Sequence, residues 1–458
     1  MSGKFESINP ATEEVLESFS EHSTVEVEAR LCKSLKAQKD WARQSLEGRL
    51  ECLKNFGQEL GRAEQSLARK LSLEMGKPIK QSQAELEKSR RLCEYYLKIS
   101  EDALAPRLLD FSSHKAEIHL RPLGPLLGIM PWNFPVWQVL RFSIPNLVLG
   151  NSILVKHAES VCGTALLLES IFLKSFGPGL YQSLILGRER IPELIGDSRI
   201  RAVSLTGSGR AGSAVAKLAG EHLKKTLLEL GGSDPYLILE DAELKAAAKA
   251  CAMSRLTNTG QSCVSAKRFI IHESVYEEFK SHLIEEFQNY KMGDPLDESV
   301  NLGPLARSDL REQIQVQIEK SMGLGAKLVW ASDDRFDRGF FYPSKVIENV
   351  RPGMPAFDDE VFGPVASLIK ARSDSEVIEL ANQSKFGLGS AIFSRDIERA
   401  KNLARDELEV GMVAINDFLR SQPGLPFGGV KESGFGRELG QEAFAEFSNV
   451  KLLSIHSN

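Results

Sequence analysis

The sequence predicts an α/β protein with a doubly wound, largely parallel sheet and more than one domain, on three observations. At 458 residues the chain exceeds one compact core, since domains run roughly 100–200 residues each. From Pro122 onward short apolar runs alternate with amphipathic stretches, the pattern of βαβ units whose parallel strands are covered on both faces. Finally, Gly207-Ser208-Gly209-Arg210-Ala211-Gly212 spells G-x-G-x-x-G directly after one such run and at the mouth of a predicted helix, where backbone N–H groups and the helix dipole suit a phosphate.

Residues 24–101 read as helices, because Val25 to Trp41 and Arg49 to Leu73 carry apolar residues at three- and four-residue spacing among many charges. Gly76-Lys77-Pro78 breaks that region. Lys115 to Pro122 alternates polar and apolar side chains and predicts a strand with one face exposed or paired to another subunit. Next come a strand over Leu126 to Met130, a helix over Val136 to Leu149, and strands at Ile153-Leu154-Val155, Leu184-Ile185-Leu186 and Ala202 to Leu205. Glycine and proline between Gly231 and Pro235 predict the crossing into a second α/β unit. It runs through Cys263 and the strand-like Arg268 to His272 to Gly363-Pro364, then on to Phe427-Gly428-Gly429. The tail from Phe444 to Ile455 reads as strand and is expected to join the strand near residue 118. Sheet edges of this kind need covering.

Composition narrows the function classes. With 42% hydrophobic and 26% charged residues and a net charge of −5, nothing recommends a nucleic-acid or anionic-membrane partner. The six cysteines are scattered without a C-x-x-C pair, as reduced thiols in a reducing compartment are. Together with a polar N-terminus and no run of about 18 apolar residues, this predicts a cytoplasmic protein. The eight histidines show no metal-ligand spacing, and no metal is expected.

The chemistry points to Cys263, reached through Asn258-Thr259-Gly260-Gln261-Ser262, with Glu229-Leu230-Gly231-Gly232 upstream. A thiol is a strong nucleophile only when deprotonated, so such a residue needs a base, a dipole or a cation beside it. Glu229 suits that base. It also lies 22 residues past Gly207, where the dinucleotide template wants an acidic residue for a ribose, and spacing leaves both roles open. Lys156 and Glu159 follow a predicted strand, at the edge where ligands bind open α/β sheets. A carboxylate there accepts from two ribose hydroxyls and repels a 2′-phosphate, favouring NAD over NADP. In Pro131-Trp132-Asn133-Phe134-Pro135 two prolines fix a loop around an amide suited to an oxyanion on a carbonyl attacked by Cys263.

These motifs, with Thr206-Gly207-Ser208, Glu360-Val361-Phe362-Gly363-Pro364 and Pro426-Phe427-Gly428-Gly429-Val430-Lys431, resemble in order and interval the aldehyde dehydrogenase superfamily, most closely its short bacterial succinate-semialdehyde dehydrogenases. The resemblance implies a Rossmann-type nucleotide-binding domain over residues 1–102 and 123–231, a second α/β catalytic domain over 232–430, and a small β oligomerisation arm from 103–122 and 441–458, in a homodimer or homotetramer. It implies that Cys263 attacks an aldehyde, that Asn133 holds the oxyanion and that Glu229 activates the hydrolytic water. NAD, preferred, with NADP as the alternative, would be held by Trp132, Lys156, Glu159, Gly207, Ser208, Gly212, Glu360 and Phe362. Arg141 matches an arginine that grips the distal carboxylate of a semialdehyde, with Ser421 as a further substrate contact. A second arginine of that group, six positions before the nucleophile, is here Thr257; Arg255 is near in sequence without having to point the same way, and Ser421 or Arg420 is the candidate to supply the missing contact.

Overall fold

The amphipathic stretches of the first hundred residues fold as the helices Thr24–Trp41, Leu46–Arg62, Glu64–Met75 and Ile79–Leu104. The computed structural model describes residues 3–111 and 114–456; positions 1–2, 112–113 and 457–458, which the expected domain limits include, lie outside the described residues. Ser23 and Glu26 form a reciprocal capping box that starts the first helix. The stretch from Arg49 to Leu73 is interrupted at Ala63, which caps one helix and starts the next, so one apolar stripe spans two helices. Gly76, at φ +77°, ends the third helix, and Pro78 begins the fourth. Before them lies an antiparallel hairpin of Lys4–Ile8 with Val15–Ser20, which periodicity did not signal.

The first large sheet has the spatial order Gly434–Phe435, Lys225–Glu229, Ala202–Thr206, Pro125–Met130, Ser152–His157, Tyr181–Ser183. All but the first run parallel. The chain starts in the middle, at Pro125–Met130, moves outward to one side, then returns and fills the other. The carboxyl ends of Pro125–Met130 and Ala202–Thr206 therefore flank a topological switch point, where ligands bind such sheets. The predicted strand at Leu184–Leu186 falls instead at Tyr181–Ser183. Leu184 continues the ladder by one bond, donating its N–H to Val155 O at 2.7 Å, and Leu184 and Leu186 are apolar because they pack with Val27 and Leu31.

A second sheet orders Lys327–Ala331, Lys345–Glu348, Val365–Ala371, Arg268–His272, Pro235–Ile238, Gly389–Phe393 and Met412–Ile415, parallel except for its first pair. A three-stranded antiparallel sheet joins Ser448–Ile455, Lys115–Pro122 and Arg107–Asp110, with Leu452 opposite Ile118. The tail strand thus pairs where expected but begins later, since Ala443–Glu446 is a helical turn that buries Phe444 edge-on against Tyr96. Val450, Leu452 and Ile455 of the tail are exposed. Among the described residues no helix is long and apolar enough to cross a membrane.

Candidate active site

Cys263 sits on a tight loop between the helix Leu244–Leu256 and the strand Arg268–His272. Asn258, Thr259 and Gly260 all take the left-handed backbone conformation, at φ +54°, +54° and +74°. For a β-branched threonine that is strained, and the surroundings hold it there. Asn258 Nδ2 donates to the carbonyls of Asn133, at 3.0 Å, and Gln261, at 3.1 Å, while Thr259 Oγ1 donates to Gly303 O at 3.1 Å. A Cβ on Gly260 would collide with the Gly363 carbonyl, so only glycine fits. Buried Arg255 spans the loop, donating to Gly260 O and Ala266 O, and Lys267 Nζ donates to Cys263 O at 2.6 Å and Ser262 O at 3.1 Å. Arg255 therefore fixes the loop and is spent, which removes it as a replacement for the missing arginine. Thr257 is half-buried and bonds its own helix at Met253 O, and exposed Arg420 pairs with Asp417 over the Phe418 ring.

Asn133 reaches this loop from the end of the first sheet's central strand. Its Nδ2 donates to Gln261 O at 3.1 Å, two residues before Cys263, leaving a second N–H on the same nitrogen. Gln138 Nε2 donates to Asn133 Oδ1 at 3.1 Å, which assigns the amide so that its NH2 faces the nucleophile loop. Gln138 was not singled out from the sequence, although its place five residues on, in the helix Trp137–Leu149, is the available signal.

Glu229 ends its strand, paired with Thr206 on one side and Gly434 on the other. It is 2% exposed, and neither carboxyl oxygen has a hydrogen-bond partner among the described residues. Burial raises its pKa well above the usual carboxylate range; Arg141 opposes the shift and Glu438 adds to it. Glu438, also 2% exposed, forms an ion pair with Arg141 Nε, and burial raises it too. One guanidinium, stacked 4.5 Å over the Phe427 ring, thus faces two buried carboxyls that share its compensation. Sequence reading missed Glu438, whose hint is only its run after the Gly428-Gly429 turn. Burial pushes the Cys263 thiol up to about 11; Arg141 and Lys267 pull it down while Glu229 and Glu360 add to the rise, so all four charges are felt at the sulfur.

Around the switch point lie the groups expected to hold a dinucleotide. Lys156 Nζ meets Glu159 Oε1 at 2.6 Å, and the Glu159 side chain is half-buried. Ser208 caps the helix Gly209–Glu221, its Oγ accepting from Ala211 N at 3.4 Å. Gly212 serves packing, because a Cβ there would strike Leu230. Gly231 has no Cβ to obstruct Glu360, whose Oε1 accepts from Gly232 N at 3.2 Å and lies 3.4 Å from Lys267 Nζ. Phe362 and Trp132 meet edge to face at 5.9 Å, with the Arg307 guanidinium 6.0 Å over Trp132. A helix N-terminus, a lysine–carboxylate pair and a glycine-cleared carboxylate fit a dinucleotide's phosphates and two riboses. Arg141 and Ser421 meet the same helix from two sides: Arg141 lies on it, and Trp137 Nε1 donates to Ser421 Oγ at 3.0 Å.

Comparison with known proteins agrees with this arrangement. The aldehyde dehydrogenase family model matches residues 1–453. Succinate semialdehyde dehydrogenase [NAD(P)+] of Escherichia coli strain K12 is 42% identical over 448 residues, covering 98% of this chain and 97% of that protein. Succinate-semialdehyde dehydrogenase [NADP(+)] of Deinococcus radiodurans is 39% identical over 450 residues, covering 98% and 94%. The crystal structure of succinic semialdehyde dehydrogenase from Streptococcus pyogenes in complex with NADP+ superposes with a TM-score of 0.96 at 35% identity, covering 99% of this chain and 100% of that one.

Proposed function

The chain belongs to the aldehyde dehydrogenase family and is an NAD(P)-dependent oxidoreductase, and we propose that it oxidises succinate semialdehyde, or a close relative bearing a distal carboxylate, to the acid. What carries the assignment of roles is the hydrogen bond from Asn133 to the carbonyl two residues before Cys263, with the orphaned Glu229 carboxyl close enough for its charge to act on the thiol.

In this reading the Cys263 thiol passes its proton to Glu229, and the sulfur adds to the aldehyde carbon. A raised carboxyl pKa makes Glu229 a stronger base than a solvated glutamate. The oxygen anion that forms is met by the free N–H of Asn133 and the Cys263 backbone N–H. When bound, the nicotinamide dinucleotide supplies the acceptor for the hydride leaving that carbon. Glu229 then releases the thiol proton to solvent and is again a carboxylate; it removes a proton from the water that attacks the Cys263 thioester, the C–S bond breaks, and the thiolate leaves as the carboxylic acid forms.

Arg141 and Ser421 are the proposed contacts of the substrate carboxylate, since a guanidinium pairs with it well even while its Nε faces Glu438. Lys156, Glu159, Trp132, Gly207, Ser208, Glu360 and Phe362 are proposed for the cofactor, Gly212 serving it indirectly by letting the Ser208-capped helix pack against Leu230, with the first sheet and its helices as its domain and the second sheet as the catalytic one. Glu159 supports NAD as the preferred form; the Escherichia coli relative is named for both cofactors and the Deinococcus radiodurans one for NADP. Exposed Val450, Leu452 and Ile455 support a homodimer or homotetramer built on the three-stranded sheet, and the scattered free thiols a cytoplasmic setting.

A panel of aldehydes run with NAD and with NADP, read by reduced-cofactor absorbance, tests this. Succinate semialdehyde should exceed butanal in kcat/KM, and equal or better activity on butanal would discard the carboxylate claim. A higher kcat/KM with NADP would overturn the NAD preference, and a monomer by light scattering the assembly.

A further inference from the structure

One cation beside the site forms no ion pair with an acidic side chain among the described residues. Lys88 lies on the helix Ile79–Leu104, one turn past Glu85. Glu85 docks that helix on the nucleophile side of the molecule: its Oε1 accepts the N–H groups of Val136, at 3.0 Å, and Trp137, at 2.9 Å, at the start of the helix that follows Asn133, while its other oxygen pairs with buried Lys77. Lys88 therefore projects over the Trp137 indole, its Nζ 4.1 Å from the ring centroid and 5.6 Å from that of Phe134. Trp137 precedes Arg141 by four residues on the same helix face, and its indole N–H is the donor to Ser421 Oγ.

The ammonium has aromatic faces around it and, among the described residues, neither a carboxylate within ion-pair range nor a hydrogen-bond acceptor. Aromatic faces attract a cation but accept none of its three N–H bonds well. What would complete this environment is an anion with acceptor oxygens, arriving between Lys88, Ser421 and Trp137. The other cations considered for that task are committed elsewhere: Arg255 to the nucleophile loop, Arg420 to Asp417, and Arg141 in part to Glu438.

We propose that Lys88 is a substrate-binding, specificity-determining residue that takes the distal carboxylate of the semialdehyde, in the role left open where Thr257 stands. This rests on the proposed carboxylate-bearing substrate. The groups acting on Lys88 are Glu85 and Lys77 on its own side and Arg141 and Cys263 across the site; burial dominates and lowers its pKa to about 7. It is thus charged below pH 7 and loses its charge above, so KM for the semialdehyde should rise as pH passes 7.

The test compares kcat/KM for succinate semialdehyde with that for butanal in wild type, Lys88→Met and Lys88→Arg. Methionine keeps an apolar stem on the indole and removes the charge. The ratio, semialdehyde over butanal, should fall roughly tenfold or more in Lys88→Met, through KM, the size expected for one charge-assisted hydrogen bond. Lys88→Arg should retain most of it, and the rise in KM above pH 7 should vanish in Lys88→Met. An unchanged ratio, or an equal loss on both aldehydes, overturns the proposal. Wild type that does not favour the semialdehyde overturns the reading beneath it instead, so the two failures are distinguishable.

Discussion

The two ends of the site are built on opposite principles. Around Cys263 the side chains are densely hydrogen-bonded: Asn258, Thr259, Gln261, Arg255 and Lys267 bond the loop's carbonyls and its neighbours, holding consecutive left-handed residues in place, and only single atoms of Arg255 (Nε) and Asn258 (Oδ1) among these five lack a partner among the described residues. Around Glu229 the reverse holds. Neither of its oxygens has a hydrogen-bond partner among the described residues, Glu438 is met through Oε2 by Arg141, and that single arginine faces the two carboxyls. Fixing the sulfur requires rigidity, because a nucleophile misplaced by an ångström loses rate. Moving a proton requires a group whose charged and neutral forms lie close in energy, which is what partial compensation in a buried place provides.

The contrast is tested most severely at the unsatisfied end. Glu229→Gln should lower steady-state turnover about 100- to 10,000-fold, the range for losing a general base. If hydrolysis is the step chiefly lost, rapid mixing should still show a first-turnover burst of reduced cofactor; absence of the burst would assign Glu229 to the thiol step alone. The protonated forms of Glu229 and Cys263 are the ones burial favours, and the working forms are charged. Wild-type kcat/KM for butanal, which has no carboxylate for Lys88 to hold, should therefore climb with pH from acid through neutral into the alkaline range, and a butanal profile falling over that range would contradict the assignment.

At the satisfied end, Asn133→Ala removes an oxyanion donor and should reduce kcat about 100- to 1,000-fold with little change in melting temperature. A large fall in stability instead would make Asn133 a loop anchor first. Gly260→Ala places a methyl against the Gly363 carbonyl in a backbone region alanine avoids, and should cost about 1–3 kcal/mol in denaturant unfolding. Gln138→Ala frees the Asn133 amide to turn over and should slow kcat by less than Asn133→Ala does, while leaving semialdehyde KM nearly unchanged.

Much of the architecture was legible because it rests on periodicity. The helices before residue 104, the strand Lys115–Pro122 and its pairing with the tail, and the strands Pro125–Met130 and Ala202–Thr206 follow from which face must be buried. Where burial and extension part company the reading slipped. Leu184 to Leu186 are apolar for packing, and Phe444 for its contact with Tyr96. The opening hairpin, with most of Val15–Ser20 exposed, lacked the alternation that would have flagged it.

The sequence by itself determined the motifs, their order and the strand ends that carry them, since turn chemistry and hydrophobic spacing are local properties. Only the tertiary structure decided that Glu438, more than two hundred residues from Glu229, shares its arginine, that Arg255 is committed to the nucleophile loop, and that Lys88 stands over Trp137 with no ion pair among the described residues. Those are matters of burial and of which distant groups meet in a low-dielectric interior, where a charge's energy depends on neighbours that no local pattern names.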